Sequence, residues 1–192
     1  MRTLFDIASL IVQTFFGLFL FVLLARFWMQ VFRAGFRNPV GSMVLSLSDW
    51  MVLPTRRVVP QFAGLDISTA LCAWVVEIVQ LYVLVLLQEQ LLGASIEPSV
   101  LAMLTLALLE LVRSSVYLLI GIVLLHVLVG WINPDSNIGP ALRPIVRPLY
   151  RPFQRLLPTM RGVDLSPIFL LLVLYIALII LASLHPVILT NL

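Results

Sequence analysis

The chain has 192 residues, of which 61% are hydrophobic and 11% charged, and its mean hydropathy is +1.11. Soluble domains run nearer half apolar and a quarter charged, so the composition excludes an ordinary water-soluble domain and implies an integral membrane protein. The formal charge is +3 and all 12 basic residues are arginine; a nucleic-acid binder of this charge would be less apolar, so no nucleic-acid partner is expected and the arginines read as a topology signal.

In chain order, the first apolar stretch runs from Phe5 to Phe32. Its core, Ile7 to Ala25, is longer than a signal-peptide core and has no small-residue cleavage site, which predicts a retained spanning helix. Arg26 lies near its end, where snorkelling accounts for it. The loop that follows carries Arg33, Arg37, Arg56 and Arg57. Within it Ser42, Ser46 and Asp49 fall at i, i+4 and i+7 among apolar residues, which predicts a short amphipathic helix in the interface plane.

The second span is Ile67–Leu87. It contains Cys72, which has no second cysteine to pair with, and Glu77 near its middle. A carboxylate at that depth costs at least about 2.5 kcal/mol, so Glu77 must face protein or water or be protonated. Two readings stay open: an interhelical hydrogen bond that fixes packing, or a proton or cation site on a permeation path. The third apolar stretch, Val100–Ile132, exceeds one bilayer; its uncharged part, 114–132, is the predicted span. Glu110 and Arg113 are expected to pair as i, i+3 neighbours at the core boundary. His126 reads as a packing or hydrogen-bonding residue with a possible proton-linked role.

Next comes a run with Arg143, Arg147, Arg151 and Arg155 on a four-residue period and Pro144, Pro148 and Pro152 interleaved. Interior prolines remove backbone donors and break helices, so the expectation is short helical turns joined by extended residues, lying in the interface with guanidiniums at the phosphates. The arginine row either anchors topology and lipid headgroups or docks a protein partner or a specific lipid. The fourth span is 168–189, interrupted by Tyr175. Nine of the twelve arginines lie between spans one and two or between spans three and four. The positive-inside rule puts both loops in the cytoplasm and both termini outside.

The two Arg-rich loops repeat each other. At an offset of 98 the identical pairs are Pro54/Pro152, Arg57/Arg155, Pro60/Pro158, Gly64/Gly162, Asp66/Asp164 and Ser68/Ser166. Asn38–Pro39 and Asn133–Pro134 open the loops with a small gap. The chain therefore reads as two copies, 1–92 and 93–192, each a span, an interfacial loop and a span, in parallel orientation about an axis along the membrane normal. The fold class is an all-α membrane protein with four spans in tandem repeats. Glycine, aspartate and serine in the motif suit a turn and a helix start: Ser68 and Ser166 as N-caps, Asp66 and Asp164 at the positive helix ends. Equal spacing suggests loop-closing ion pairs Arg57–Asp66 and Arg155–Asp164. Under the same offset Glu77 matches Tyr175, which predicts equivalent places about the pseudo-axis.

On these residues (the Asn-Pro opening, the Pro-x-x-Arg-x-x-Pro run and the Gly-x-Asp-x-Ser entry, each present twice) the chain resembles the YggT family of membrane proteins. It departs from the pattern at Asp49-Trp50, where the second copy has Arg147-Pro148, and at Thr69, where the second has Pro167. The resemblance implies a bacterial inner-membrane location, with relatives linked to osmotic tolerance and cell division, and plastid relatives linked to haem attachment and organelle division. It implies no catalytic, cofactor or metal site. Three functions compete. A scaffold or assembly factor would act through the Arg-Pro loops on anionic lipid headgroups and a protein partner or a second copy. A small oligomeric channel or transporter would use Glu77. A membrane enzyme is the weakest, because Ser68 and Ser166 lack a nearby base.

Overall fold

Apolar runs in lipid find no water for their backbone groups and must close their hydrogen bonds internally. In the computed structural model each such run is an unbroken helix. The structure describes residues 2–59, 66–93, 99–133, 138–156 and 165–191, with side chains up to His185. Six helices follow one another: α1 (Arg2–Val31), α2 (Pro39–Arg56), α3 (Ile67–Leu92), α4 (Val100–Ile132), α5 (Ile138–Leu156) and α6 (Ser166–Asn191). Four of them, α1, α3, α4 and α6, are long and apolar enough to cross a membrane, and little of each is buried within the chain. Their outward residues are large and apolar, as at Phe15, Leu18, Leu172 and Ile179. That is the pattern of an integral membrane protein whose spans meet lipid on most of their circumference.

Two helix triplets make up the bundle. In one, α2 packs across α1 and α3, which pack on each other; in the other, α5 packs across α4 and α6 in the same way. Because α2 and α5 each connect two spans, both lie at the same end of the bundle. Equivalent positions carry the load: Val44, Ser48 and Val52 on α2 are buried, and so are Leu142, Val146 and Tyr150 on α5. Each set is spaced by four residues and keeps the offset of 98, so one helix face seats each interfacial helix on its spans. One core cluster crosses between the triplets, joining Met29 and Val44 to Val123, Val146 and Leu170; a second, around Leu23, Val52 and Ala73, has its buried residues in the first triplet, with Leu111 and Leu118 of α4 packed against it.

The symmetry fails at one seam. The hairpin α3–α4 is closely packed, but its symmetry mate, α6 against α1, has no contact of comparable extent. At this seam Glu77 and Tyr175, matched by the offset of 98, have different surroundings: Glu77 is 3% exposed and Tyr175 62%. The registers agree at the start of the helices, where Ser68 and Cys72, Ser166 and Leu170 are all buried. They diverge where α4 covers α3 and nothing comparable covers α6.

Two further expectations are corrected. The Arg-Pro run is one continuous helix, α5, with Pro144, Pro148 and Pro152 inside it. The prolines recur every four residues, so the carbonyls that lose an amide partner line up on one side. Pro148 and Pro152 are exposed, which leaves that side open to water or headgroups, while the buried face holds the helix in place. The expected third span, 114–132, is part of α4, which runs unbroken from Val100 through Glu110 and Arg113 to Ile132. Second, neither serine is an N-cap: α3 begins at Ile67 with Asp66 in the cap position, and α6 begins at Ser166 itself, with Phe169 N–H donating to the Leu165 carbonyl.

Candidate functional site

The Arg-rich end of the molecule is built on two joints between spans and interfacial helices. In the first copy α2 starts where Asn38 caps it: the side-chain oxygen accepts from the Gly41 N–H at 2.7 Å, and Pro39 takes the first helical position, where no N–H is needed. Gly41 is buried against the preceding turn. A Cβ there would lie 2.6 Å from the Phe36 Cα, so the close approach admits glycine alone. At the equivalent Gly139 the nearest atom would be 3.9 Å away.

Arg26 defines this joint, and not by snorkelling. It is 1% exposed, and its guanidinium donates to Ser48 Oγ at 2.7 Å and to Asp49 Oδ1 at 2.8 Å. Ser48 in turn donates to the Val44 carbonyl. A buried arginine without a counter-charge would be very costly; Asp49, 40% exposed, supplies it. Trp50 stacks on Phe19 with centroids 5.4 Å apart, so Asp49 and Trp50, where the second copy has Arg147-Pro148, both lock α2 to α1. The signal was present in the sequence as an acid on the interfacial helix facing a basic residue one span away, but nothing in the spacing reveals a contact over 23 positions.

The end of α2 is tied to the start of α3. Asp66 accepts from Arg56, through Nε at 3.1 Å and more closely through a terminal nitrogen, and from Thr69 Oγ1 at 2.6 Å. The expected partner Arg57 is instead exposed at the C-cap of α2; one helix step turns it away from α3. Burial pushes the Asp66 carboxyl up, but hydrogen bonds from Arg56, Thr69 and the Gln30 amide, with the Arg56 charge, outweigh it and hold it below its ordinary 3.8. Ser68 donates to the Val59 carbonyl at 2.7 Å, and the Cys72 thiol reaches Thr55 Oγ1 at 3.3 Å. Pro54 sits in the last turn of α2. Pro60, Gly64, Pro158, Gly162 and Asp164 lie outside the described residues, as does the expected Arg155–Asp164 pair.

The second joint is chemically reversed. Where the first has Leu45, Asp49, Leu53 and Arg57, α5 has Arg143, Arg147, Arg151 and Arg155, all exposed. Among the described residues no carboxylate pairs with any of the four. On the span side, near the end of α4, stands His126, whose ring meets Tyr150 edge-on with centroids 6.0 Å apart. The exposed row of α2 is apolar instead: Met43, Leu47, Trp50 and Leu53.

A separate polar cluster lies within the span region between α3, α4 and α6. Glu110 accepts from Arg113 at 3.2 Å, as the i, i+3 spacing predicts, and His185 of α6 comes within 3.9 Å of the same carboxylate. Trp74 Nε1 donates to the Leu104 carbonyl across the α3–α4 seam at 3.3 Å. Glu77 and Gln80 are on this seam, and Glu77 Oε2 and Gln80 Oε1 are buried with no hydrogen-bond partner. Tyr175 is not part of it.

Comparison with known proteins places these features. The family described as CCB3/YggT matches residues 5–87 and again residues 105–185, one match for each triplet. The chain is 30% identical over 177 residues to the uncharacterized protein YggT of Escherichia coli K12, covering 88% of this chain and 85% of that one. It is 31% identical over 169 residues to an uncharacterized protein of Pseudomonas aeruginosa, covering 87% and 84%. To an uncharacterized protein from the proC 3′ region of Vibrio alginolyticus it is 29% identical over 171 residues, 88% of each. No solved structure matches. With both triplets covered, the chain belongs to the CCB3/YggT family.

Proposed function

We propose that the protein is a non-enzymatic scaffold or assembly factor of the bacterial inner membrane, serving envelope homeostasis, osmotic tolerance and cell division. It lies with the Arg-rich loops in the cytoplasm and both termini outside, because nine of twelve arginines fall in the two stretches of sequence that join spans one to two and three to four. The observation that carries the reading is the arginine row of α5. A helix interrupted by three prolines is held on the bundle by a buried face, and four guanidiniums are displayed with no described counter-charge. Guanidinium forks bind phosphate or carboxylate bidentately, which fits anionic headgroups and an acidic patch on a protein partner or a second copy. The motif serines speak against catalysis: Ser68 is buried and donates to a backbone carbonyl, and Ser166 is buried at a helix start.

A second reading, a small oligomeric channel or transporter for protons or cations, is favoured by one observation, the unpartnered buried oxygen of Glu77. Two variants separate the readings. Arg147→Gln with Arg151→Gln removes two forks and leaves seven loop arginines to hold the topology. Glu77→Gln keeps shape and removes the titratable charge. A scaffold loses complementation of a deletion strain with the arginine pair and keeps it with Glu77→Gln. Flux through purified protein in liposomes that disappears with Glu77→Gln overturns the scaffold reading.

A further inference from the structure

The two joints between a span and its interfacial helix differ in one respect that points to a ligand. In the first, positive charge from α1 meets negative charge on α2, and the joint is closed by Arg26 and Asp49. In the second, the residue in Asp49's place is Arg147, and the joint stands open as a cleft of about 360 Å³ lined by His126, Arg143, Val146, Arg147, Tyr150 and Gln154. No carboxylate lines it. Two guanidiniums one turn apart, an imidazole, a phenol and an amide converge on a space that lacks the anion its counterpart supplies internally.

We propose that this cleft between α4 and α5 binds the phosphate of an anionic phospholipid, which takes the part that Asp49 plays in the other copy. Two guanidiniums on one helix face can both reach a tetrahedral oxyanion, and each can fork two of its oxygens. The depth argues for a lipid over a free anion. His126 lies six residues before the end of α4, roughly 9 Å along the helix axis into the span, so the cleft opens beside a span and not above it. Trp131, at the same helix end, is 80% exposed, as interfacial anchors are. Leu125 and Leu128, on the same turn of α4 as His126, are exposed too and offer acyl chains an apolar surface. This site goes beyond the scaffold reading by naming a bound molecule. Its readout is lipid occupancy rather than complementation, so the two fail separately.

Native mass spectrometry of the full-length protein in mild detergent, titrated with dioctanoyl phosphatidylglycerol, dioctanoyl phosphatidylcholine or inorganic phosphate, tests it. The expected result is retention of phosphatidylglycerol over phosphatidylcholine, undisturbed by excess inorganic phosphate. Arg143→Gln with Arg147→Gln should weaken phosphatidylglycerol binding by about 30-fold, the effect of two basic residues at an anionic surface. Arg151→Gln with Arg155→Gln removes the same charge from the same helix but outside the cleft, and should leave most of the affinity. If the first pair fails to fold, Arg147→Gln against Arg151→Gln makes the same comparison at exposed positions. Equal losses from the two pairs would reduce the effect to diffuse charge and overturn the site, as would equal retention of phosphatidylcholine. Displacement by inorganic phosphate at the concentration where the lipid itself competes would overturn the lipid assignment.

Discussion

α2 and α5 are the same helix twice, seated by the same three positions, yet they turn opposite chemistries outward. α2 keeps its charges paired to the neighbouring spans, Asp49 with Arg26 and Arg56 with Asp66, and exposes Met43, Leu47, Trp50 and Leu53; α5 buries only apolar and aromatic side chains and exposes four arginines. A duplicated unit can thus divide its tasks. One copy uses electrostatics to fix a helix to its span, and the other leaves that helix to apolar packing and makes its charges available. The buried positions 44, 48 and 52 and their mates 142, 146 and 150 are what the fold requires; the positions between them are free to differ.

The comparison breaks first, and hardest, at Asp49. Asp49→Asn leaves Arg26 buried without its counter-charge, and should destabilise the protein by about 2–3 kcal/mol, below the range for fully buried pairs because Asp49 is partly exposed. Arg147→Asn at the matching position should change stability by less than about 0.5 kcal/mol. Equal shifts in melting temperature in detergent would show that the two joints do not differ as described. A smaller effect is expected at the paired glycines. Gly41→Ala drives a Cβ into the Phe36 backbone and should cost about 1–3 kcal/mol, whereas Gly139→Ala, with ordinary contacts only, should be neutral. Asn38→Ala removes the α2 cap and should cost about 1 kcal/mol, read from the same melts.

The last effect is a pH dependence confined to acid and set by Asp66. Its carboxyl is held below 3.8 in the folded protein, so the stability it contributes is fully present above its unfolded value and is lost as pH falls through the folded value. The wild type should therefore lose stability on acidification below about 3.8 more steeply than Asp66→Asn. Parallel curves for the two proteins would remove Asp66 as the group responsible.

The spans, their parallel duplication and the α2 helix were all legible in the sequence, because hydrophobic run length and motif spacing depend on local chemistry. What could not be read depended on which surfaces meet. Arg26 looks like any arginine near a span end until α2 is laid across it. Arg56 and Arg57 are neighbours in sequence, but helical rotation aims only one at Asp66. The prolines of α5 argue against a helix when each is costed alone; set on a four-residue period beside a buried face, they leave the orphaned carbonyls on the open side. Glu77 and Tyr175 share a place in the repeat and differ because α4 covers one and no helix covers the other to a like extent. The cleft at His126 rests on a missing acid, which becomes visible only when the two copies are superposed position by position.

Leu53 and Arg151 occupy the same position in the two copies, and both are exposed. Cysteine placed at each, with the buried Cys72 as background, can be challenged with a membrane-impermeant maleimide in inside-out vesicles and in spheroplasts. If α2 turns lipid-facing residues outward and α5 a cytoplasmic cationic surface, Arg151→Cys is labelled in inside-out vesicles alone and Leu53→Cys in neither. Equal labelling of the two, or labelling of Arg151→Cys from the outer side, would contradict the division of tasks between the copies.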